Sequence, residues 1–168
     1  EKGFYRRWYE NGTLRKEILY SEIMWEVKKM SGLYKTWYSN GQLEKERNYH
    51  RGVGEIGLST NYHRNGQLES QLNYKDGKLI DGPYKIYHED GRLCDDGNYI
   101  NNKKEGVWKH YYKNGQLRME ENYKNGIIDG VREYYHENGQ LIRKTKYKDG
   151  EIEVNECWDE DGNKIKCE

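Results

Sequence analysis

An Asn-Gly or Asp-Gly pair returns every 23–29 residues, and this repetition limits the possible folds more than any other feature of the chain. The glycine of the pair falls at Gly12, Gly41, Gly66, Gly91, Gly115, Gly139 and Gly162. A fixed period of roughly 20–50 residues marks a repeat architecture. Four places before that glycine stands an aromatic ring: Trp8, Trp37, Tyr62, Tyr87, Tyr111, Tyr135 and Trp158. Two places after it stands leucine in the first six repeats, and eight after it tyrosine, from Tyr20 to Tyr147. Nine before it is another glycine, from Gly3 to Gly130.

Asn-Gly between segments rich in Tyr, Trp and Leu signals a β-hairpin, because both residues tolerate positive φ. Side chains alternate along a strand, so parity selects the loop. A three-residue type I loop with a glycine bulge pairs the aromatic directly with the leucine. It also predicts that the apolar residue eight before the glycine, the aromatic, the leucine and the later tyrosine share one face. A second turn is predicted at Tyr-x-x-Gly, as in Tyr74-Lys75-Asp76-Gly77. The expected fold is all-β, a single repeat domain over 1–168 built as an elongated antiparallel meander of about seven stacked hairpins that twists or curls. The hairpins are expected near 3–20, 32–52, 57–77, 82–99, 106–126 and 130–150, with a degenerate cap at 151–168 and an insertion at 21–31. Edge strands at both ends offer a route to self-association.

Composition agrees. The chain has no alanine, 17 tyrosines and 5 tryptophans, a strand-forming set. Lys+Arg and Asp+Glu balance at 29 each, which argues against a nucleic-acid partner. No stretch approaches the apolar length of a membrane span. No signal peptide is visible, so a cytoplasmic place is expected. An exported or surface place is the alternative, since the chain begins at Glu1 rather than Met. Cys157 and Cys167 flank the last turn; free thiols are the expectation and a disulfide across the turn the alternative.

No catalytic, cofactor or metal constellation can be assembled from the sequence. His63, His88 and His136 share one repeat position, but successive repeats advance about 10 Å, too far for one metal ion. His50 and His110 show no evident partner. Asp95 and Asp96 are adjacent, so they point to opposite faces and read as solvated turn acids. Cys94 has no His–Asp pair that can be placed beside it.

Binding residues are easier to nominate. Seven before the turn glycine lie Tyr34, Tyr84 and Trp108, and three before lie Tyr9, Tyr38, His63, His88, Tyr112 and His136. Charges such as Arg15, Glu44 and Arg118 are interleaved. Rings framed by charges suit a protein interface, and they equally suit aromatic ladders that stabilise a sheet. The insertion SEIMWEVKKMS at 21–31 carries Met24 and Trp25, which fit either a partner-contacting loop or a covering flap.

GLYKTWYSNGQL at 32–43, GVWKHYYKNGQL at 106–117 and GVREYYHENGQL at 130–141 resemble the variant MORN repeat of bacterial proteins. The resemblance covers 3–150 well and 151–168 poorly. It implies a binding module with no catalytic residues to carry over and no cofactor. The YwqK-type antitoxins built from this repeat imply a protein partner, a toxin to be neutralised. Other MORN proteins imply membrane attachment or scaffolding, and short aromatic hairpin repeats suggest glycan or cell-wall binding as a further alternative.

Overall fold

A computed structural model describes residues 3–20, 31–50 and 53–167, with the side chain of Tyr20 excepted. Residues 21–30 of the 21–31 insertion, with Met24 and Trp25, lie outside the described residues. All described regular structure is β-strand, and within each unit consecutive strands pair antiparallel as a meander. The chain forms two compact units. The first reaches Ile80 and includes Glu89–Gly91; the second takes Asp81–His88 and the chain from Arg92 onward.

In the first unit β1 (Gly3–Trp8), β2 (Leu14–Tyr20), β3 (Gly32–Trp37), β4 (Leu43–His50), β5 (Gly54–Tyr62) and β6 (Leu68–Lys75) follow one another across the sheet. The short β7 (Lys78–Leu79) folds back on β6. In the second unit the order is β8 (Gly82–Tyr87), β9 (Leu93–Ile100), β10 (Lys103–Tyr111), β11 (Leu117–Lys124), β12 (Ile127–Tyr135), β13 (Leu141–Lys148), β14 (Glu151–Trp158) and β15 (Lys164–Ile165).

The main turns have the three-residue form that parity requires. Tyr9 N–H donates to the Thr13 carbonyl at 2.8 Å and Gly12 N–H to the Tyr9 carbonyl at 3.0 Å. Gly12 sits at φ +81°, where an L side chain is strained. The first of these bonds recurs in all seven hairpins, the degenerate last one included, where Asp159 N–H reaches the Asn163 carbonyl. The second set of turns uses two residues at positive φ, as in Asp76-Gly77, Asn125-Gly126 and Asp149-Gly150. Their backbone twist matches that of the flanking strands.

The asparagine of Asn-Gly works on both sides of the turn. Asn40 Oδ1 accepts the Gln42 N–H of its own loop at 3.2 Å, and its Nδ2 donates to the Arg64 carbonyl of the next repeat at 2.8 Å. Asn11 and Asn114 do the same toward Ser39 and Glu137. The residue three before the turn glycine adds a parallel bond: Tyr9, Tyr38 and Tyr112 hydroxyls donate to the carbonyls of Trp37, Tyr62 and Tyr135 at 2.7–2.9 Å. These repeats are thus tied to the next through their turns. Tyr112→Phe removes one such bond and leaves a half-buried carbonyl short of a donor, so a loss of about 1 kcal/mol in denaturant unfolding is expected.

The register departs from the sequence expectation at one point in each of the first six hairpins. Trp8 pairs with Leu14 as foreseen, but Arg7 pairs with Lys16, leaving Arg15 as a bulge. The same shift follows Leu43, Leu68, Leu93, Leu117 and Leu141. One extra residue reverses the facing of everything after it. The late tyrosines therefore do not share a face with Trp8, Trp37 and their equivalents. They join Tyr34, Tyr84 and Trp108 on the other face, where Tyr49 meets Tyr34 edge-on at 5.9 Å and Tyr99 meets Tyr84 at 5.7 Å.

That ring face holds the core of each unit. Ile18 and Ser59 are buried in the first, Trp108 and Thr145 in the second. Trp108 is 1 % exposed and lies over Gly97, with Tyr84 and Tyr99 at 5.1 Å and Tyr123 at 6.3 Å between ring centres. Lys104 Nζ caps the indole at 4.1 Å. Ser59, in the slot where its neighbours carry rings, is buried as well. Cys157 and Cys167 form a disulfide across the last turn, with Cα atoms 5.3 Å apart, so the expectation of free thiols is replaced. Their diagonal placement across a tight turn gives the spacing that a disulfide needs.

Candidate binding surfaces

Three side-chain groupings have enough organisation to be functional. The first is a charged cluster on the ring face of the second unit. Cross-strand neighbours there bring Asp95 on β9, His110 on β10, Glu121 on β11 and Arg132 on β12 together. Glu121 is buried. Its Oε2 accepts Arg132 Nε at 2.9 Å and lies 2.7 Å from Nη2, and its Oε1 accepts the Tyr123 hydroxyl at 2.8 Å. His110 Nε2 stands 3.5 Å from the same carboxylate, and Nδ1 bonds Asp95. Asp95 and Glu121 together hold the imidazole protonated, raising it to about 9 against the pull of burial. Burial pushes Glu121 up, but His110, Tyr123 and Arg132 outweigh it and bring it to about 2. Burial and the neighbouring carboxylate push Tyr123 up to about 12.

This cluster corrects two readings of the sequence. His110 does have partners, and Asp95 is a half-buried strand residue rather than a solvated turn acid. Cys94 lies beside Asp95 but cannot use it as a catalytic relay. Burial, then the Asp95 charge, raises the thiol and disfavours the thiolate that a nucleophile requires. A general base works best near the operating pH, whereas His110 is held cationic and Glu121 anionic. The arrangement is a set of fixed charges that fastens four strands. Among the described residues no group of three or more His, Cys, Asp or Glu side chains is placed to hold a metal ion.

The second grouping is the face away from the rings. In the first unit it exposes Phe4 by 60 %, Trp8 by 57 % and Leu58 by 51 %, and in the second Val107 by 46 % and Val154 by 47 %. Arg6 lies 4.9 Å over Phe4 and pairs with Glu17, so charge borders the apolar surface.

The third is a depression of about 440 Å³ in the first unit, lined by Arg7, Tyr9, Arg15, Lys16, Tyr34, Thr36, Glu44 and Lys45. Lys16 Nζ stands 4.9 Å over the Tyr34 ring and the Arg15 guanidinium 5.4 Å over Tyr9.

The nominated binding residues divide among these places. Trp108, Tyr84 and Tyr34 belong to the ring layer, and Trp108 has almost no surface to offer. Tyr9, Tyr38 and Tyr112 direct their hydroxyls to the next repeat, and His88 Nε2 lies 3.3 Å from the Tyr111 carbonyl. His63 and His136 occupy the same slot in their own hairpins, each beginning a turn. Tyr9 and Tyr34 also border the depression. Phe4, Trp8 and Leu58, open to solvent on the opposite face, were nominated only as repeat positions. The residue just after each leucine gives no sign of the bulge that turns them outward.

Comparison with known families matches the description "MORN repeat variant" to residues 3–22, 30–51, 55–76, 80–101, 104–125 and 128–149. No curated protein matches the chain. The six matched stretches each contain one of the bulged hairpins, and the cap beyond 150, which has Lys164 where the others have leucine, is outside them. MORN repeats are non-catalytic modules that bind proteins or membranes. With six repeats over well more than half its length, the chain belongs to the MORN repeat variant family.

Proposed function

We propose that the chain is a non-catalytic protein-binding module with one dedicated partner, most concretely an antitoxin- or immunity-type protein that neutralises it by holding it. The observation that carries this reading is the exposed apolar surface of the first unit, where Phe4, Trp8 and Leu58 are each more than half open. Exposed rings bordered by paired charges are the composition of a protein interface centre and its rim. Among the described residues the core of the unit lies on the other face.

The test is co-expression with the products of the genes adjacent to its own. A stable complex on size exclusion is expected, with relief of growth arrest if that product is toxic. Trp8→Asp should weaken the complex by about 2 kcal/mol or more, as loss of an aromatic anchor does, while circular dichroism stays unchanged. If no neighbouring product forms a complex, or if the complex ignores Trp8, the reading is wrong.

A further inference from the structure

We propose that the depression in the first unit is an anion-reading cleft that takes an extended acidic segment of a partner protein. The proposal rests on the protein-binding reading above and names the chemistry of one contact. Its floor is a single cross-strand row. Arg7 on β1 pairs with Lys16 on β2, Lys16 with Thr36 on β3, and Thr36 with Lys45 on β4. Arg15, the bulge residue, and Glu44 complete the rim. Four cations therefore face one carboxylate, and that carboxylate lies 3.6 Å from Lys45. Among the described residues neither Arg7 nor Lys16 has an ion-pair partner.

Like charges directly opposite each other on adjacent strands are destabilising. The first unit nevertheless sets Arg7 against Lys16. The corresponding row of the second unit is compensated, because its His110 stands against Asp95. An uncompensated row is what a surface looks like when the missing charge arrives with a ligand. Further, the Thr36 hydroxyl is buried in the floor with no hydrogen-bond partner among the described residues. Lys16 and Arg15 are held over Tyr34 and Tyr9, which fixes their positions before anything binds.

The shape of the row selects the occupant. Three strand steps of about 4.8 Å spread the cations over roughly 14 Å. A single tetrahedral anion would engage only one end. An extended chain presents side chains on one face about every 7 Å, so two or three carboxylates span the row. A flat bilayer favours protruding cations, whereas these line a depression that Tyr9 and Tyr34 border.

The experiment is fluorescence anisotropy with a labelled peptide of alternating Glu and Thr, its Gln-Thr counterpart, inorganic phosphate as competitor, and vesicles containing phosphatidylserine. Saturable binding of the acidic peptide alone is expected, weakening as salt rises. Lys16→Glu with Lys45→Glu should weaken it about tenfold or more. Lys75→Glu with Lys124→Glu, an equal change of net charge on exposed strand ends, should alter it less than about twofold. Lys16→Gln should lose affinity while holding or raising the unfolding midpoint, which a purely structural lysine would not do. Equal binding of the Gln peptide, equal loss in both double variants, full displacement by phosphate, or preference for vesicles would each overturn the proposal. A dedicated partner that still binds the Lys16→Glu/Lys45→Glu chain would refute the cleft and leave the protein-binding reading intact. Absence of any partner would refute that reading.

Discussion

Gly97→Ala should destabilise the second unit by about 3 kcal/mol or more, the upper range for forcing an extra carbon into a packed core. The expectation is notable for its sign. Gly97 is not in the left-handed region, so its backbone would accept alanine, and such a replacement ordinarily stabilises by about 0.4–1 kcal/mol. Here the added Cβ would stand 2.3 Å from Trp108 Cδ2 and 2.4 Å from Cε2, inside any tolerable contact. The indole cannot retreat, because Tyr84, Tyr99 and Tyr123 hold its sides and Lys104 its top. Trp108→Leu alone should cost about 3 kcal/mol through lost ring contacts. It also removes a buried indole N–H that has no acceptor, which tempers that loss. The double variant should then be more stable than the two single losses predict by about 2 kcal/mol, since the leucine makes room for the methyl group. Guanidinium unfolding followed by circular dichroism measures all three. Parent-like stability of Gly97→Ala, or strict additivity, would show that the ring layer yields more easily than its geometry implies.

The Gly97–Trp108 contact also shows where the sequence stops being legible. The turns could be read directly, because positive φ restricts the residues able to occupy them. Gly12 and its equivalents, with the asparagine before them, announce both loop length and position. Hairpin number and antiparallel order followed from the same signal. The bulge after each leucine could not be read, because its occupants share no chemistry: Arg15, Glu44, Glu69, Cys94, Arg118 and Ile142. A bulge residue is defined by lacking a partner, and no side-chain type is demanded of it. Its omission puts Tyr123 and Tyr147 on the wrong face and hides the row in which Asp95, His110, Glu121 and Arg132 meet. It also turns Trp108 from a core residue into an apparent surface ring. Tyr9 and Tyr112 were legible as rings in a fixed slot, but their hydroxyls are aimed at a carbonyl about two dozen residues away. That target exists only once neighbouring repeats are in register.

The second large effect is a stability profile with two limbs, set by the charged cluster. His110 is raised from 6.5 to about 9 in the folded chain, so its contribution is complete below about 6.5. It declines as pH rises and is gone beyond about 9, where the folded imidazole also loses its proton. Glu121 is lowered from 4.5 to about 2, so its contribution is complete above about 4.5 and is lost as pH falls toward 2. Stability from this cluster should therefore be greatest between about pH 4.5 and 6.5. Each limb should amount to about 3 kcal/mol, the free energy of a shift of roughly that size. The two share the His110–Glu121 contact and are not additive. His110→Gln should flatten the alkaline limb and keep the acid one, because Arg132 still binds Glu121. Glu121→Gln should shrink the acid limb to the part that Asp95, also held down by His110, contributes, and cost about 3–5 kcal/mol at pH 6, since it leaves Arg132, His110 and Lys104 around a neutral amide. Denaturant midpoints measured across the pH range for the three proteins decide the matter. An alkaline limb that survives His110→Gln would assign it to another group and leave His110 a bystander in the cluster.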